Sequence, residues 1–328
     1  MSVVPNPETR LNCAEFAEVA ARYYGAPSPA CAPFVGMRCK SVTVDAYGMA
    51  LQASHLRGDG WRREHDTLKW RMYEDAREMG QHAQLEVYGL FAAHIPQDAA
   101  ARLNNLPARK RHGLVPDFLM RIEDEDGPAT TEYLLELKCV HLTRTWYQYG
   151  ARDDDNCPAA KLRARKIPRE YVYKAQVADQ KYCGTAVGTV GPIEQRLRSF
   201  SHVIPLVFGA YGETGGDKSG AEVLLRKLAG VGANRHWRRM KASNEKEAKG
   251  ALAWLLRRRW ALTAVRENAR LTLDRLQYLG ADTKSDERAA KGAADAPSRL
   301  KARADALEFA NFGPGVHDTR PAVATRFN

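Results

Sequence analysis

Two short stretches carry side chains able to do chemistry together: Pro116-Asp117 and, 19 residues beyond the aspartate, Glu136-Leu137-Lys138. In a β-strand, residues i and i+2 share a face, so Glu136 and Lys138 point one way and Leu135, Leu137 and Cys139 the other. If the two stretches pair as a hairpin, Asp117 falls near its far end and the sheet twist brings its carboxylate beside Glu136. Two such carboxylates make an oxygen-rich site for a hard divalent cation. Magnesium accepts one or two carboxylates plus water and a substrate phosphate. The cation would polarise a phosphodiester and acidify the attacking water, while Lys138 orients that water or takes up its proton. The expectation is backbone hydrolysis of a phosphate polymer, with Mg2+ or Mn2+ held by Asp117 and Glu136. The bland alternative is a solvated hairpin edge on which Glu136 pairs with Lys138. Against it, Leu134-Leu135 and Cys139-Val140 imply a strand buried on both faces, where unpaired charge is costly.

The elements that must position these residues are legible on either side. Trp61, Leu68, Met72, Ala76 and Met79 recur at helical spacing over residues 61–79, and Gly80 stops the run. Strands are expected over 84–95, 114–122 and 132–142, the last two joined by an acidic turn at 123–128 that contains Asp126-Gly127-Pro128. A helix over 169–183, stopped by Gly184, and an apolar strand over 202–210 follow. Helix, three strands, helix, strand predicts an α/β fold with a mixed central sheet flanked by helices. Residues 57–220 therefore read as the core, 1–56 as an appendage, 221–280 as a basic helical extension and 281–328 as a disordered tail.

Composition narrows the partner. The 328 residues are 44% hydrophobic and 27% charged, with a formal net charge of +11, so a polyanion is expected and DNA leads. Thirteen Lys or Arg face three Glu between Arg226 and Arg270. There Trp237, Trp254 and Trp260 interleave with Arg238, Arg239, Arg257, Arg258 and Arg259, a texture that suits phosphate contact; the alternative is a solvated helix face over core tryptophans. A second basic run, 161–169, lies just before the helix that follows the catalytic strands, where it would line the groove leading to the site; the alternative is a plain charged loop. No apolar stretch reaches the ~18 residues of a membrane span. Pro5, Pro7 and Glu8 interrupt any signal peptide. An intracellular protein is expected, nuclear if its source is eukaryotic and cytoplasmic if bacterial. Six cysteines without a C-x-x-C pair read as reduced thiols.

With these elements and residues in order, the chain resembles the PD-(D/E)xK, restriction-endonuclease-like superfamily. Within it, the chain is similar to the nuclease segment downstream of reverse transcriptase in site-specific non-LTR retrotransposons. The narrower resemblance rests on Arg63-Glu64-His65-Asp66, Val115-Pro116-Asp117, Lys181-Tyr182, Ile204-Pro205-Leu206-Val207-Phe208 leading into Gly212 and Gly216, and Glu267-Asn268-Ala269 in the arginine-rich terminal helix. It implies a restriction-endonuclease-like core and a metal-dependent DNA endonuclease leaving a 5′-phosphate and a 3′-hydroxyl. Asp117 and Glu136 would hold the metal, Lys138 would serve the water, and His65 and Lys181 would be accessory groups. It also implies a reverse transcriptase or RNA of the same element as a further partner. The family's zinc knuckle is incomplete: Cys39 and His55 remain, but residues 45–51 lack a histidine and Ser54 stands in a cysteine's place, so zinc is not expected. The chain opens on its own methionine with no polymerase ahead, which suggests a free-standing fragment or a decayed copy, and the intact Asp117, Glu136 and Lys138 set argues against full decay. Two alternatives stay open: a catalytically inactive nucleic-acid-binding protein, and a free-standing bacterial or phage repair or defence nuclease. Glu64 and Glu74 are candidate third carboxylates for the metal, and Glu86 a candidate neighbour of the site.

Overall fold

The structure, a computed structural model, describes residues 10–39, 42–54, 60–87, 90–99, 114–123, 130–143, 158–200 and 203–277. His55, the acidic turn from 124 onward, Cys157 and the tail over 281–328 lie outside the described residues, as does the side chain of Cys39.

A four-stranded mixed sheet forms the centre, in the order β3-β4-β5-β6. It comprises β3 (His82–Leu85), β4 (Phe118–Glu123), β5 (Thr130–Cys139) and β6 (Val203–Phe208). The first three run antiparallel, and β6 pairs parallel to β5. The expected hairpin is present, with Phe118 opposite Leu135 and Glu123 opposite Thr130. Pro205 cannot donate to a ladder, which suits β6 to its place as an edge strand of the sheet.

Strand alternation builds two cores. Phe118, Met120, Leu135, Leu137, Leu206 and Phe208 face helices α3 (Gly60–Glu78), α6 (Gly220–His236) and α7 (Glu245–Leu276). Leu119, Leu134, Val203 and Val207 face α4 (Pro158–Cys183) and α5 (Pro192–Ser199). Helix α4 presents Ala160, Ile167, Tyr171, Ala175 and Ala178 to the sheet at helical spacing. At its far end Asp179 accepts hydrogen bonds from the backbone N–H of Ile193 and Glu194, capping α5. A Cβ on Gly191 would stand 2.2 Å from the Asp179 carboxyl carbon, so only glycine fits there.

The N-terminal segment holds α1 (Cys13–Tyr23), a two-strand ribbon of β1 (Arg38–Cys39) and β2 (Val42–Thr43), and α2 (Met49–Ala53). Asn12 and Glu15 form a capping box on α1. The Asp45 carboxylate takes the N–H groups of Tyr47, Met49 and Ala50 at the start of α2. The segment is tied to α7: Glu15 pairs with Arg270 at 2.5 Å, and buried Arg22 donates to Asn268 and Thr272. Gln52 donates to Thr272 and accepts from the Leu142 N–H just after β5. Among the described residues no helix is long and apolar enough to cross a membrane.

Three expectations need correction. The strand expected over 84–95 ends at Leu85, because Glu86 takes a left-handed φ of 46° and the chain then turns through a 3-10 segment at Ala92–His94. The helix expected to start at residue 169 begins at Pro158, with Pro168 in its interior. A proline there removes one hydrogen bond, but burial of Ala160 and Ile167 keeps the earlier turns helical. The basic run 161–169 is therefore helix, not loop. The helical stretch after residue 221 is two helices, parted where Lys241 adopts φ 54°. The buried stripe of α7 passes through Leu252, Leu256, Trp260 and Ala264, which leaves Trp254 46% exposed.

Candidate active site

The antiparallel register places Phe118 opposite Leu135, and one residue further it sets Asp117 opposite Glu136. Asp117 lies just outside β4 yet continues the ladder by other means. Its Oδ2 accepts the Leu137 N–H at 2.8 Å, and its own carbonyl accepts the Glu86 N–H at 3.1 Å. Glu136 and Lys138 share the α4 face of β5, as their spacing requires. Lys138 Nζ donates to Glu136 Oε1 at 2.5 Å and stands 4.0 Å from Asp117 Oδ2. One ammonium thus sits between two carboxylates. The Asp117 and Glu136 side chains are 13% and 9% exposed and that of Lys138 33%, so the cluster opens to solvent on the lysine side.

Helix α3 supplies a second arc of charge. His65 Nε2 is 3.2 Å from Asp117 Oδ2, and its Nδ1 is 3.1 Å from Asp66 Oδ1. Lys69, one turn on, donates to Glu86 Oε1 at 2.5 Å and lies 3.1 Å from Asp66. Glu86 therefore meets the site through an ion pair. From α4, Tyr171 donates its hydroxyl to Glu136 Oε2 at 2.5 Å and approaches the Val115 carbonyl at 3.3 Å.

This geometry sets the protonation states. Burial alone would discharge His65, but its hydrogen bonds to Asp117 and Asp66, with the charge on Asp117, raise it to about 9. It is imidazolium at neutral pH. Burial pushes Asp117 up, yet the His65 hydrogen bond and the charges of His65, Lys138 and Lys69 hold it down at about 2. Glu136 is raised, first by burial and next by the negative charge on Asp117, with Lys138 and the Tyr171 hydroxyl opposing. Tyr171 itself is pushed well above its ordinary value by burial and by the Glu136 charge.

Asp117, Glu136, Lys138 and His65 are thus brought together, and Lys181 is not. It is exposed near the C-terminal end of α4, ten residues or about 15 Å of helix from Tyr171, with its ammonium 5.0 Å from the Tyr182 ring. Its expected place beside the site is corrected by the helix rise alone. Glu64 is buried against His141 at 2.8 Å and Asn268 at 3.3 Å, and Glu74 accepts from the Trp70 indole at 3.0 Å. Among the described residues no three His, Cys, Asp or Glu side chains converge as a metal cage.

The arginines expected to contact nucleic acid divide. Arg257 forks onto buried Glu222 at 2.9 and 2.6 Å, and Arg259 holds Asp75 at 2.7 Å and Glu78 at 3.0 Å. These two brace α7 against α6 and α3 through buried Glu222 and Asp75, while the Arg257 side chain stays 45% exposed. Arg258 lies 5.3 Å from the Trp254 ring and Arg238 5.2 Å from that of Trp237, while Arg238 and Arg239 are exposed.

Sequence reasoning passed over Tyr171 and Lys69. The stripe of Ile167, Tyr171, Ala175 and Ala178 on α4 was the available signal for the tyrosine. For Lys69 the signal was its i+3 and i+4 spacing from Asp66 and His65, which sets all three on one side of α3. Compared with family models, with curated proteins and with solved structures, the chain matches none of them.

Proposed function

We propose that the protein is a divalent-metal-dependent nuclease that hydrolyses DNA phosphodiester bonds at Asp117, Glu136 and Lys138. The observation that carries the reading is the convergence of two carboxylates from adjacent strands on one lysine ammonium, partly open to solvent. The donor set fits Mg2+ or Mn2+. It offers hard oxygens, and Glu136 is held above its ordinary range by burial and by Asp117, a strain that a divalent charge relieves. Asp117 and Glu136 would hold the ion, which when bound supplies charge for the phosphodiester and an acidified water. Lys138, held on Glu136 and partly open to solvent, would orient that water or hold its proton. His65, already protonated, does not act as a base at neutral pH; it keeps Asp117 ionised and fixed.

The finer readings are part of the same proposal. A restriction-endonuclease-like core is supported by the hairpin bearing the two acids, followed by a helix and a parallel strand. A retroelement origin, with a reverse transcriptase or RNA as partner, rests on the short sequence motifs around His65, Asp117 and Pro205.

Purified protein is expected to nick supercoiled plasmid with Mg2+ or Mn2+ and to stop in EDTA. Asp117→Asn and Lys138→Met should each lose about a hundred-fold or more of that rate. Equal nicking by wild type and both variants would reject the assignment. A catalytically inactive nucleic-acid-binding protein is favoured by one observation: Lys138 and His65 already give both carboxylates cationic partners. Salt-sensitive DNA binding, indifferent to EDTA and without cleavage, would establish that reading instead.

A further inference from the structure

Helix α4 has two contrasting faces. Its inner face is the apolar stripe against the sheet. Its outer face exposes three large apolar side chains, Leu162 at 48%, Tyr173 at 67% and Val177 at 41%. Exposed Lys166, Arg169 and Lys174 lie among them. Of the two acids of α4, Asp179 is buried in the cap of α5, and Glu170, half-exposed between Lys166 and Lys174, is neutralised by Arg163 at 2.5 and 3.1 Å. The outer face is therefore net cationic and partly aromatic over the 16 residues from Leu162 to Val177, about 22 Å of helix.

This face is continuous with the candidate site. Lys174 Nζ lies 5.2 Å from the ring of Tyr171, the residue that binds Glu136. The Glu170 carboxyl, on the same flank, is lowered first by Arg163 and also feels the charge on Lys138. Moving around the helix from Lys174, the surface passes Glu170, whose charge is paired with Arg163, and reaches Val177, Lys166 and Tyr173.

The geometry points to this outer face of α4 as the track for an unpaired DNA strand leading to the catalytic cluster. The inference rests on the nuclease reading and names its substrate: DNA with a single-stranded segment beside the bond that is cut, not a plain duplex. Cations every turn suit phosphates. Duplex DNA presents phosphates but hides its base faces, so it gives Leu162, Tyr173 and Val177 nothing apolar to cover. Unpaired bases stack on an exposed aromatic ring, and that contact is independent of sequence.

The test is binding of the full chain in EDTA, by fluorescence anisotropy, to a labelled oligo-dT strand, to a blunt duplex of equal length and to phosphatidylserine vesicles. The wild type is expected to prefer the single strand. Tyr173→Ala should weaken strand binding by about ten-fold or more, Tyr173→Phe should keep it, and neither should move duplex binding by more than about two-fold. Replacing Lys166 and Arg169 by alanine should reduce the salt dependence of strand binding by about one phosphate contact each. All three side chains are exposed, so these variants are expected to melt with the wild type. Equal affinity for strand and duplex, vesicle binding as tight as strand binding, or losses that follow Arg238→Ala and Arg239→Ala instead would overturn the track. Because EDTA removes cleavage from the measurement, strand binding without nicking sinks the nuclease and spares the track. Nicking without strand preference does the reverse.

Discussion

Arg259→Met separates an arginine that holds the fold from one that meets nucleic acid. Asp75 on α3 is fully buried, and its two oxygens accept from Arg259 Nη1 at 2.7 Å and from the Trp260 indole at 2.8 Å. Removing the guanidinium leaves a buried carboxylate with one neutral donor, a change that costs about 3–5 kcal/mol. At roughly 2–4 °C per kcal/mol for a domain of this size, Tm should fall by about 6–20 °C. The loss should also depend on pH. Burial raises Asp75 from its ordinary 3.8 to about 6, against the opposing charge of Arg259 and the Trp260 hydrogen bond. Between those values the folded chain binds the proton more tightly than the unfolded one, so stability from this group is greatest below about pH 4 and falls as pH rises through about 6. Without Arg259 the folded value climbs further, and the variant should lose more at pH 8 than at pH 5, where a neutral carboxyl no longer needs the cation. Urea unfolding at the two pH values measures this, with Arg238→Ala plus Arg239→Ala as an exposed control expected within about 0.5 kcal/mol of wild type. A loss under about 1 kcal/mol, or one equal at pH 5 and pH 8, would refute the assignment of Arg259 to the fold.

Two further outcomes follow from single contacts. Tyr171→Phe removes the 2.5 Å donor to the buried Glu136 carboxylate, a bond to a charged group worth about 1.5–3 kcal/mol. Glu136 then protonates more readily, so the acid limb of the nicking profile should move up by about 1–2 pH units; an unmoved limb denies Tyr171 its positioning role. Gly212 has φ +77° and a Cβ there would meet the Ala261 carbonyl oxygen at 2.9 Å, whereas Gly188 has φ +83° with nothing within 4 Å. In urea, Gly212→Ala should cost about 1–3 kcal/mol more than Gly188→Ala, since both share the backbone strain and only the first strikes α7. Equal losses would mean that the 209–216 loop is free to move away from α7.

The hairpin was legible because two signals agreed: alternation placed Glu136 and Lys138 on one face, and the intervening turn fixed which strand lay beside them. The α/β class followed from element order alone. Expectations failed where tertiary contacts override local rules. Pro168 reads as a helix start, yet the turns before it stay helical because Ala160 and Ile167 are buried against the sheet. Glu86 reads as strand, but its left-handed backbone lets its N–H bond Asp117 and its carboxylate reach Lys69. The basic residues of α7 read as phosphate contacts because composition records charge without its partner. Only packing reveals that Glu222 and Asp75 lie opposite Arg257 and Arg259. Lys181 was assigned by the family resemblance alone, and although it shares a helix with Tyr171 it lies ten residues further along it.

What aims the cluster of Asp117, Glu136 and Lys138 is the same packing that holds the sheet together. Leu135 and Leu137 are buried in one core and Leu134 in the other, so both faces of β5 are committed before Glu136 or Lys138 contributes anything. A slip of one residue between β4 and β5 would turn both charged side chains into the α3–α7 core and bring leucines to the site, at the expense of every apolar contact on the strand. The apolar residues thereby exclude the wrong register. Asp117 needs no place in the ladder of its own, because in the right register its carboxylate meets the Leu137 N–H and so finds Glu136 and Lys138 on the same side. The charges of α3 then act on a geometry already fixed. His65 and Lys69 neutralise Asp117 and its neighbours without moving the strands, which is why their exchange should alter pH dependence more than position.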